Sequence, residues 1–112
     1  MPPRLLRPDD EGMAWSAGAL ESGAVVALPT DTVYGLAALP AHPDALATLF
    51  AMKHRPADVA LPLLVGDQDQ IAELAGPLGR AAAHLAREHW PGPLTLVVPR
   101  AKGFGPDLGG PP

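Results

Sequence analysis

A short apolar run, residues 24–28, leads directly into the octapeptide Pro29-Thr-Asp-Thr-Val-Tyr-Gly-Leu36. The run contains valine and no charge, which is typical of a buried strand, and Pro29 ends it because proline lacks a backbone donor. Loops at the ends of strands hold small ligands in α/β folds. The three hydroxyl side chains and one carboxylate that follow this run therefore make the octapeptide a candidate ligand-binding loop.

Residue types alone leave two interpretations of residues 29–36 open. In the first, Thr30, Thr32 and Tyr34 offer hydroxyl groups while backbone N–H groups cradle a small anion. In the second, the segment is a β-turn in which Asp31 and Thr32 hydrogen-bond to their own backbone. The choice between these two interpretations depends on the other motifs of the sequence.

Composition sets the class of protein. The 112 residues suffice for one small domain, and an apolar share of 47% with only 4% aromatic residues indicates an aliphatic core. No apolar run approaches the roughly 18 to 20 residues that a membrane span needs, and residues 1–10 lack the apolar centre of a signal peptide. Without cysteine the chain has no disulfide or thiolate chemistry. These features predict a cytoplasmic protein.

Charge and histidine spacing bear on the partners. A formal net charge of −4 argues against an extended nucleic-acid surface, because phosphate neutralisation supplies most non-specific affinity. The histidines do not have the spacing of a metal site, since His84 and His89 are five residues apart and no third ligand is near them in sequence. We therefore expect no metal ligands from this chain.

Predicted helices and strands alternate along the sequence. Asp9 or Asp10 caps a first helix that Gly23 ends, and Pro43 opens a second helix that ends near Lys53. A short helix follows Asp67, and residues 77–89 form a longer one with its inner face at Leu78, Ala81, Ala82 and Leu85. Strands are predicted at residues 24–28, 61–65 and 94–98, with a further strand re-forming after the loop at residues 32–37. This order is typical of an α/β layer fold with a partly parallel sheet.

A pair of cations lies in the motif Lys53-His54-Arg55-Pro56. Two side chains one residue apart point the same way only where the chain is extended, which a following proline favours. Neighbouring cations repel each other, so their pairing indicates an anionic ligand such as a nucleotide phosphate. The alternative is that both stabilise the C-terminal end of the preceding helix and reach solvent.

Two further segments are rich in proline and glycine. Trp90-Pro-Gly-Pro-Leu-Thr95 is interpreted as a hydrophobic plug and a rigid turn into a strand, in which Thr95 is either structural or part of a site. Residues 103–112 are predicted to form a loop or a disordered tail.

Taken together, residues 29–36, the Lys53-x-Arg55-Pro56 motif and residues 90–95, in this order and spacing, resemble the YrdC/Sua5 family of L-threonylcarbamoyladenylate synthases of tRNA t6A biosynthesis. Residues 59–66 look like the actinobacterial version of this family. The resemblance implies a YrdC-like open, twisted, mixed sheet with helices packed on it. It further implies that residues 1–112 are the N-terminal part of a single domain that is incomplete at its C-terminus.

The resemblance also implies a reaction, in which L-threonine, bicarbonate and ATP give threonylcarbamoyl-AMP and pyrophosphate. Lys53 and Arg55 would be the catalytic residues that bind the nucleotide phosphates, and the substrate contacts would be Thr30, Thr32, Tyr34 and Thr95, with Thr32 closest to the L-threonine. Family members are expected to use Mg²⁺ that is held largely by phosphates and water. Further partners would be tRNA or downstream proteins of the t6A pathway, and no membrane.

Two features depart from the family's pattern. Many members have an Asn-Pro pair after the Lys-x-Arg-Pro motif and a histidine at the end of the next strand, where this chain has Val59, Ala60 and Leu64 or Val65. Family domains also continue into a strand with an arginine and a Ser-x-Asn loop that completes the nucleotide site. We therefore expect this chain alone to be nearly inactive.

Two other functions remain open. One is an RNA-binding module, since related domains have been regarded as double-stranded RNA or tRNA surfaces, although the net charge of −4 weighs against it. The other is the carbamoyl-adenylate domain of hydrogenase-maturation carbamoyltransferases. Chains of that class carry acylphosphatase-like and zinc-finger segments, whereas this one has no cysteine.

Overall fold

The computed structural model describes residues 3–110, which divide into two compact units. The first unit comprises residues 3–61 with residues 107–110 and contains α1 (Asp10–Glu21), β1 (Val26–Pro29), β2 (Tyr34–Ala37) and α2 (Pro43–Met52). The second comprises residues 62–106 and contains a 3-10 turn (Gln68–Gln70), α3 (Ile71–Ala75) and α4 (Arg80–His89). No helix within residues 3–110 has the length and apolarity to cross a membrane.

Helix α1 begins and ends where its side chains predict. The Asp9 carboxylate accepts a hydrogen bond from the Gly12 N–H over 2.8 Å, which satisfies one of the free donors of the first turn. At the other end, Gly23 has a φ of +93°, and the N–H groups of Gly23 and Ala24 return to carbonyls of the last turn over 3.0 Å each. This is a Schellman motif with glycine in the left-handed position.

Strands β1 and β2 form an antiparallel hairpin, with Val26 opposite Ala37 and Pro29 opposite Tyr34. The α/β class is confirmed, but the sheet of the described residues is this hairpin and not the partly parallel sheet that the alternation predicted. The reason is the connection: residues 30–33 are too few for the crossover that parallel strands require. Pro29 is tolerated because it is the last residue of its strand.

Helix α2 supplies most of the core of the first unit. Pro43 occupies its first turn, where a missing N–H costs nothing, and the side chains of Ala45, Leu46 and Leu49 are buried. Leu108, from the far end of the described chain, is buried in the same unit with 6% of its surface exposed. The core is therefore small and aliphatic, as the composition indicates.

The second unit has less buried surface. The Asp67 carboxylate caps the 3-10 turn in a capping box with Gln70, as the sequence predicts. The predicted inner face of the last helix is wrong in part, since Ala81 is exposed and Leu85 is 39% exposed, while Ala86 is the buried residue. In helix α4 the inward side chains are alanines, with Ala86 buried and Ala82 and Ala83 half-buried.

The two segments predicted as further strands, residues 61–65 and 94–98, do not form strands in the described part of the chain. Burial alternates along residues 94–98, where Leu94, Leu96 and Val98 are half-buried and Thr95 and Val97 are exposed. The same alternation runs along residues 61–65. Val97 is 97% exposed and Leu64 is 81% exposed. Burial with a period of two is typical of a strand, but a strand also needs a neighbouring strand to pair with, and residues 3–110 do not supply one for either segment.

The cap of α1 gives a stability prediction. We expect Asp9→Ala to lower the free energy of unfolding by about 1 kcal/mol, because the Gly12 N–H loses its acceptor. Asp9→Asn keeps a side-chain oxygen at the same place and should cost a fraction of that. Urea denaturation followed by circular dichroism measures both, and equal losses would contradict the capping role.

Candidate functional site

The hairpin loop, residues 30–33, is held together by the hydroxyl of Thr30. This hydroxyl donates to the Val33 carbonyl and accepts from the backbone N–H groups of Thr32 and Val33 over 3.3 and 3.2 Å. One donated and two accepted bonds use the full capacity of a hydroxyl group. The turn interpretation is therefore right about the type of bond but wrong about its source, because the bonding side chain is Thr30 and not Asp31 or Thr32.

The other polar groups of the loop face outward. Asp31 and Thr32 are exposed, and Tyr34, the first residue of β2, is 78% exposed. A Cβ on Gly35 would lie 3.4 Å from the Thr30 methyl carbon, so this glycine fits closely beside the side chain that braces the loop. The loop thus presents two hydroxyls and one carboxylate on a frame that Thr30 fixes.

The cationic motif begins at the end of α2. Here the N–H of His54 donates to the Ala51 carbonyl over 3.2 Å, and the N–H of Arg55 donates to the Phe50 carbonyl over 3.0 Å. These two bonds form a second Schellman motif, in which His54, with a φ of +50°, takes the place that glycine takes after α1. The predicted extended backbone is wrong, because Lys53 is the helical C-cap residue with φ −92° and ψ −2°. The following proline restricts Arg55, its immediate neighbour, and not Lys53.

Arg55 is anchored by the loop that follows it. Its Nε–H donates to the Val59 carbonyl over 3.1 Å and its Nη2 to the Ala60 carbonyl over 2.6 Å. One edge of the guanidinium is thereby fixed. Within residues 3–110 no acceptor bonds to Nη1, so Nη1 and the second N–H of Nη2 form a fork of the kind that binds two oxygens of a phosphate. Lys53 is exposed at the C-terminal end of α2, where the helix dipole favours a cation.

Val59 and Ala60 hold the candidate residue Arg55 in place, a contact that sequence reasoning missed. They stand where the family's pattern has other residue types, yet they contribute backbone carbonyls and not side chains. Every residue has a backbone carbonyl, so the residue types at positions 59 and 60 do not predict this role. Only the spacing of four and five residues from an arginine, after a proline, could have suggested it.

The third motif lies in the second unit. Trp90 is half-buried, and its indole Nε1–H donates to the Leu94 carbonyl over 2.7 Å, which closes the turn in front of residues 94–98. Thr95 is exposed, as is Val97 two residues further along. Its role as a substrate contact stays a prediction, because it belongs to a different unit from the hairpin loop and Arg55.

Metal ligands and cavities add little to this picture. In the described part of the chain no three histidine, aspartate or glutamate side chains come together as a metal site. A groove of about 250 Å³ in the second unit is lined by residues that include Gln68, Ile71, Leu78 and Arg87. It contains none of the predicted site residues.

Comparison with known proteins agrees with the three motifs. The Sua5/YciO/YrdC family model, which carries the description "Telomere recombination", matches residues 18–108. The chain is 39% identical over 94 residues to the threonylcarbamoyl-AMP synthase of Bacillus subtilis, which covers 84% of this chain and 27% of that protein. It is also 39% identical over 98 residues to a putative threonylcarbamoyl-AMP synthase of Mycobacterium tuberculosis, covering 88% of this chain and 45% of that protein.

Solved structures give the same result. The crystal structure of Pyrococcus abyssi Sua5 complexed with L-threonine matches with a TM-score of 0.83 and 36% identity, covering 92% of this chain and 30% of that one. A variant of the same protein with two alanine substitutions matches with a TM-score of 0.84 over 91% of this chain. The chain spans less than half the length of each of these relatives.

The left-handed residue after α2 gives a prediction. His54→Gly should raise the free energy of unfolding by about 1 kcal/mol relative to His54→Ala, because only glycine adopts a positive φ without a Cβ penalty. Both variants remove the imidazole, so the difference between them isolates the backbone. Thermal or urea unfolding measures it, and equal stabilities would argue against strain at this position.

The bracing hydroxyl gives another prediction. Thr30→Val should speed hydrogen exchange of the Val33 amide about fivefold, the factor that corresponds to losing roughly 1 kcal/mol of hydrogen bonding. Thr30→Ser keeps the hydroxyl and should exchange at nearly the unmodified rate. The measurement is amide exchange by NMR, and a serine variant as fast as the valine variant would show that the methyl group, not the hydroxyl, holds the loop.

Proposed function

Because this chain belongs to the Sua5/YciO/YrdC family, we propose that it forms the part of a threonylcarbamoyl-AMP synthase that binds L-threonine and the phosphates of ATP. In the proposed reaction the amino nitrogen of L-threonine bonds to the carbon of bicarbonate and water leaves, which gives a carbamate. An oxygen of this carbamate then attacks the α-phosphorus of ATP. Threonylcarbamoyl-AMP forms and pyrophosphate leaves. The observation that carries the proposal is the anchored guanidinium of Arg55, whose free end is shaped for a phosphate.

The hairpin loop suits an amino-acid ligand. The Pyrococcus relative was crystallised with L-threonine, and the loop offers exposed side chains that complement such a molecule: the carboxylate of Asp31 for an ammonium group, and the hydroxyls of Thr32 and Tyr34 for a carboxylate or a hydroxyl. Thr30 has no free hydroxyl capacity, so its part is to shape the loop. Thr95 remains in the proposal as a further substrate contact.

The cations suit the nucleotide. Lys53 brings a mobile point charge and Arg55 an oriented fork, and both stabilise the negative charge that spreads over the phosphate oxygens as the α-phosphorus is attacked. The nucleophile is the substrate's own carbamate, so no protein side chain has to form a covalent bond. Holding the two reactants in line then supplies much of the rate.

Magnesium and tRNA enter the proposal through the substrates. The described residues do not fit a protein-held magnesium site, since they bring no cluster of three ligands together, so an ion would arrive with the ATP phosphates and their water. We assign no step to it. The product passes its threonylcarbamoyl group to tRNA, directly or through other proteins of that pathway, and this use of ATP and tRNA places the proposed activity in the cytoplasm.

Because the chain spans less than half the length of its relatives, turnover is best tested in a chimeric protein, called the graft below, in which a relative supplies the rest of the chain. We would replace the matched segment of the Mycobacterium tuberculosis relative with residues 18–108 of this chain and measure pyrophosphate release that depends on threonine and bicarbonate. In the active graft, Arg55→Lys should lower kcat/KM by about 100-fold, because lysine cannot form the fork. Thr32→Val should raise the KM for L-threonine and leave that for ATP unchanged.

The matched control is Arg80→Lys, which changes an exposed arginine on α4 in the same way. It should leave kcat/KM within a factor of about two, as surface substitutions usually do. A folded graft without pyrophosphate release would contradict the proposal, as would an equal loss from the Arg80 control. Calorimetric titration of residues 1–112 with ATP and with L-threonine tests binding without turnover.

A further inference from the structure

The segment of residues 107–110 packs against the loop that follows Arg55. The Leu61 N–H donates to the Leu108 carbonyl and the Gly110 N–H donates to the Ala57 carbonyl, each over 2.9 Å. The Leu108 side chain is buried, which keeps the segment in place. Residues 57–61 are therefore bonded at both ends to a part of the chain that lies about fifty positions further along.

This loop is the one that anchors Arg55. The carbonyls that accept from the guanidinium belong to Val59 and Ala60, which lie between the two bonded ends, Ala57 and Leu61. A carbonyl can orient a guanidinium only as well as its own peptide is held. The direction of the free end of Arg55 therefore depends on the bonds that residues 107–110 make.

Gly109 is the point of closest approach in this arrangement. A Cβ at this position would lie 2.8 Å from the Ala57 carbonyl oxygen and 2.8 Å from Cζ of Phe50, and the φ of Gly109 is +79°. Phe50 belongs to the Schellman motif that ends α2 and directs Arg55. Helix α2, the loop and the segment 107–110 meet at this glycine, and no residue with a side chain fits there without moving one of them.

We propose that Leu108 and Gly109 are positioning residues for Arg55. They hold the carbonyls of residues 59 and 60 so that the guanidinium presents its free end to an anion before the anion arrives. This inference rests on the proposed function only in naming the anion as an ATP phosphate. The turn of this segment is itself held by the Asp107 carboxylate, which accepts from the Gly109 N–H over 2.9 Å.

The test is hydrogen exchange in residues 1–112, which distinguishes loosening of the loop that anchors Arg55 from loosening of the whole fold. In Gly109→Ala we expect the Arg55 Nε–H to exchange with solvent at least tenfold faster, together with the amides of Leu61 and Gly110, because their common support has moved. The amide of Lys53, which bonds to Leu49 within the end of α2, should change far less. Gly105→Ala is the matched control, because a Cβ there meets no atom within 4 Å.

Two substitutions of Asp107, which disturb the segment less, provide the test if Gly109→Ala does not fold. Asp107→Ala removes the turn's acceptor and should speed exchange at the Arg55 Nε–H in the same direction by a smaller factor, whereas Asp107→Asn should restore the slow rate. If the Arg55 Nε–H keeps its protection in the folded variants, or loses it by the same factor as Lys53, then residues 108 and 109 are only part of the core and the inference is wrong.

ATP titration separates this inference from the proposed function. If Arg55 binds ATP, Gly109→Ala should weaken ATP binding about tenfold, because a misdirected fork loses its bidentate contact. In an Arg55→Lys background the same substitution should have little further effect. A chain that binds no ATP at all would contradict the proposed function, and the exchange comparison would then decide the positioning role alone.

Discussion

The two backbone hydrogen bonds that end α2 fix the direction of the cationic motif. They reverse the chain between Phe50 and Arg55, and they hold His54 at a φ of +50° although it is not glycine. A left-handed residue with a side chain costs roughly 1 kcal/mol. Burying a leucine stabilises by about 2 kcal/mol, and α2 buries both Leu46 and Leu49. The packing of the helix therefore exceeds the strain at its end, and the turn persists.

Some residues of the candidate site hold its structure together, and others face outward. Thr30 uses its whole hydroxyl capacity inside the hairpin loop, while Thr32 and Tyr34 keep theirs for solvent or a ligand. Arg55 has both roles, because one edge of its guanidinium bonds to the protein and the other end remains for solvent or a ligand. The turn and ligand-loop interpretations of residues 29–36 are consequently compatible, because the turn is what holds the exposed groups in place.

Features that depend on neighbouring side chains were predictable from the sequence. The Asp9 cap, Gly23 after α1 and the Asp67 capping box follow from residue types at fixed offsets, and the bounds of α2 follow from its apolar spacing and from Pro43. The family's motifs identified Lys53 and Arg55 as candidates, but not how Arg55 is held. The positive φ of His54 is uncommon for a residue other than glycine, and its cause lies in backbone hydrogen bonds that the sequence does not display.

Features that depend on contacts between segments distant in sequence could not be predicted from the sequence. Residues 61–65 and 94–98 carry the strand pattern but have no partner strand among residues 3–110, and pairing is decided by topology and not by propensity. The segment 107–110 lies in a stretch predicted as loop or tail, yet Leu108 is one of the five apolar side chains buried within residues 3–110. This segment contains a single apolar side chain, between aspartate and glycine, which gives no periodic signal.

The distribution of buried side chains sets how well each part of the site is prepared for a ligand. Ala45, Leu46, Leu49 and Leu108 lie in the first unit, whereas Ala86 is the one core residue of the described second unit. Local opening is easiest where few apolar groups are buried. The hairpin loop and Arg55 therefore rest on the firmer unit, and the segment that carries Thr95 rests on the softer one. Within the first unit the two cations also differ, because Arg55 already bonds to two carbonyls whereas Lys53 is exposed at the end of α2. Arg55 should therefore lose less side-chain entropy than Lys53 when it binds an anion.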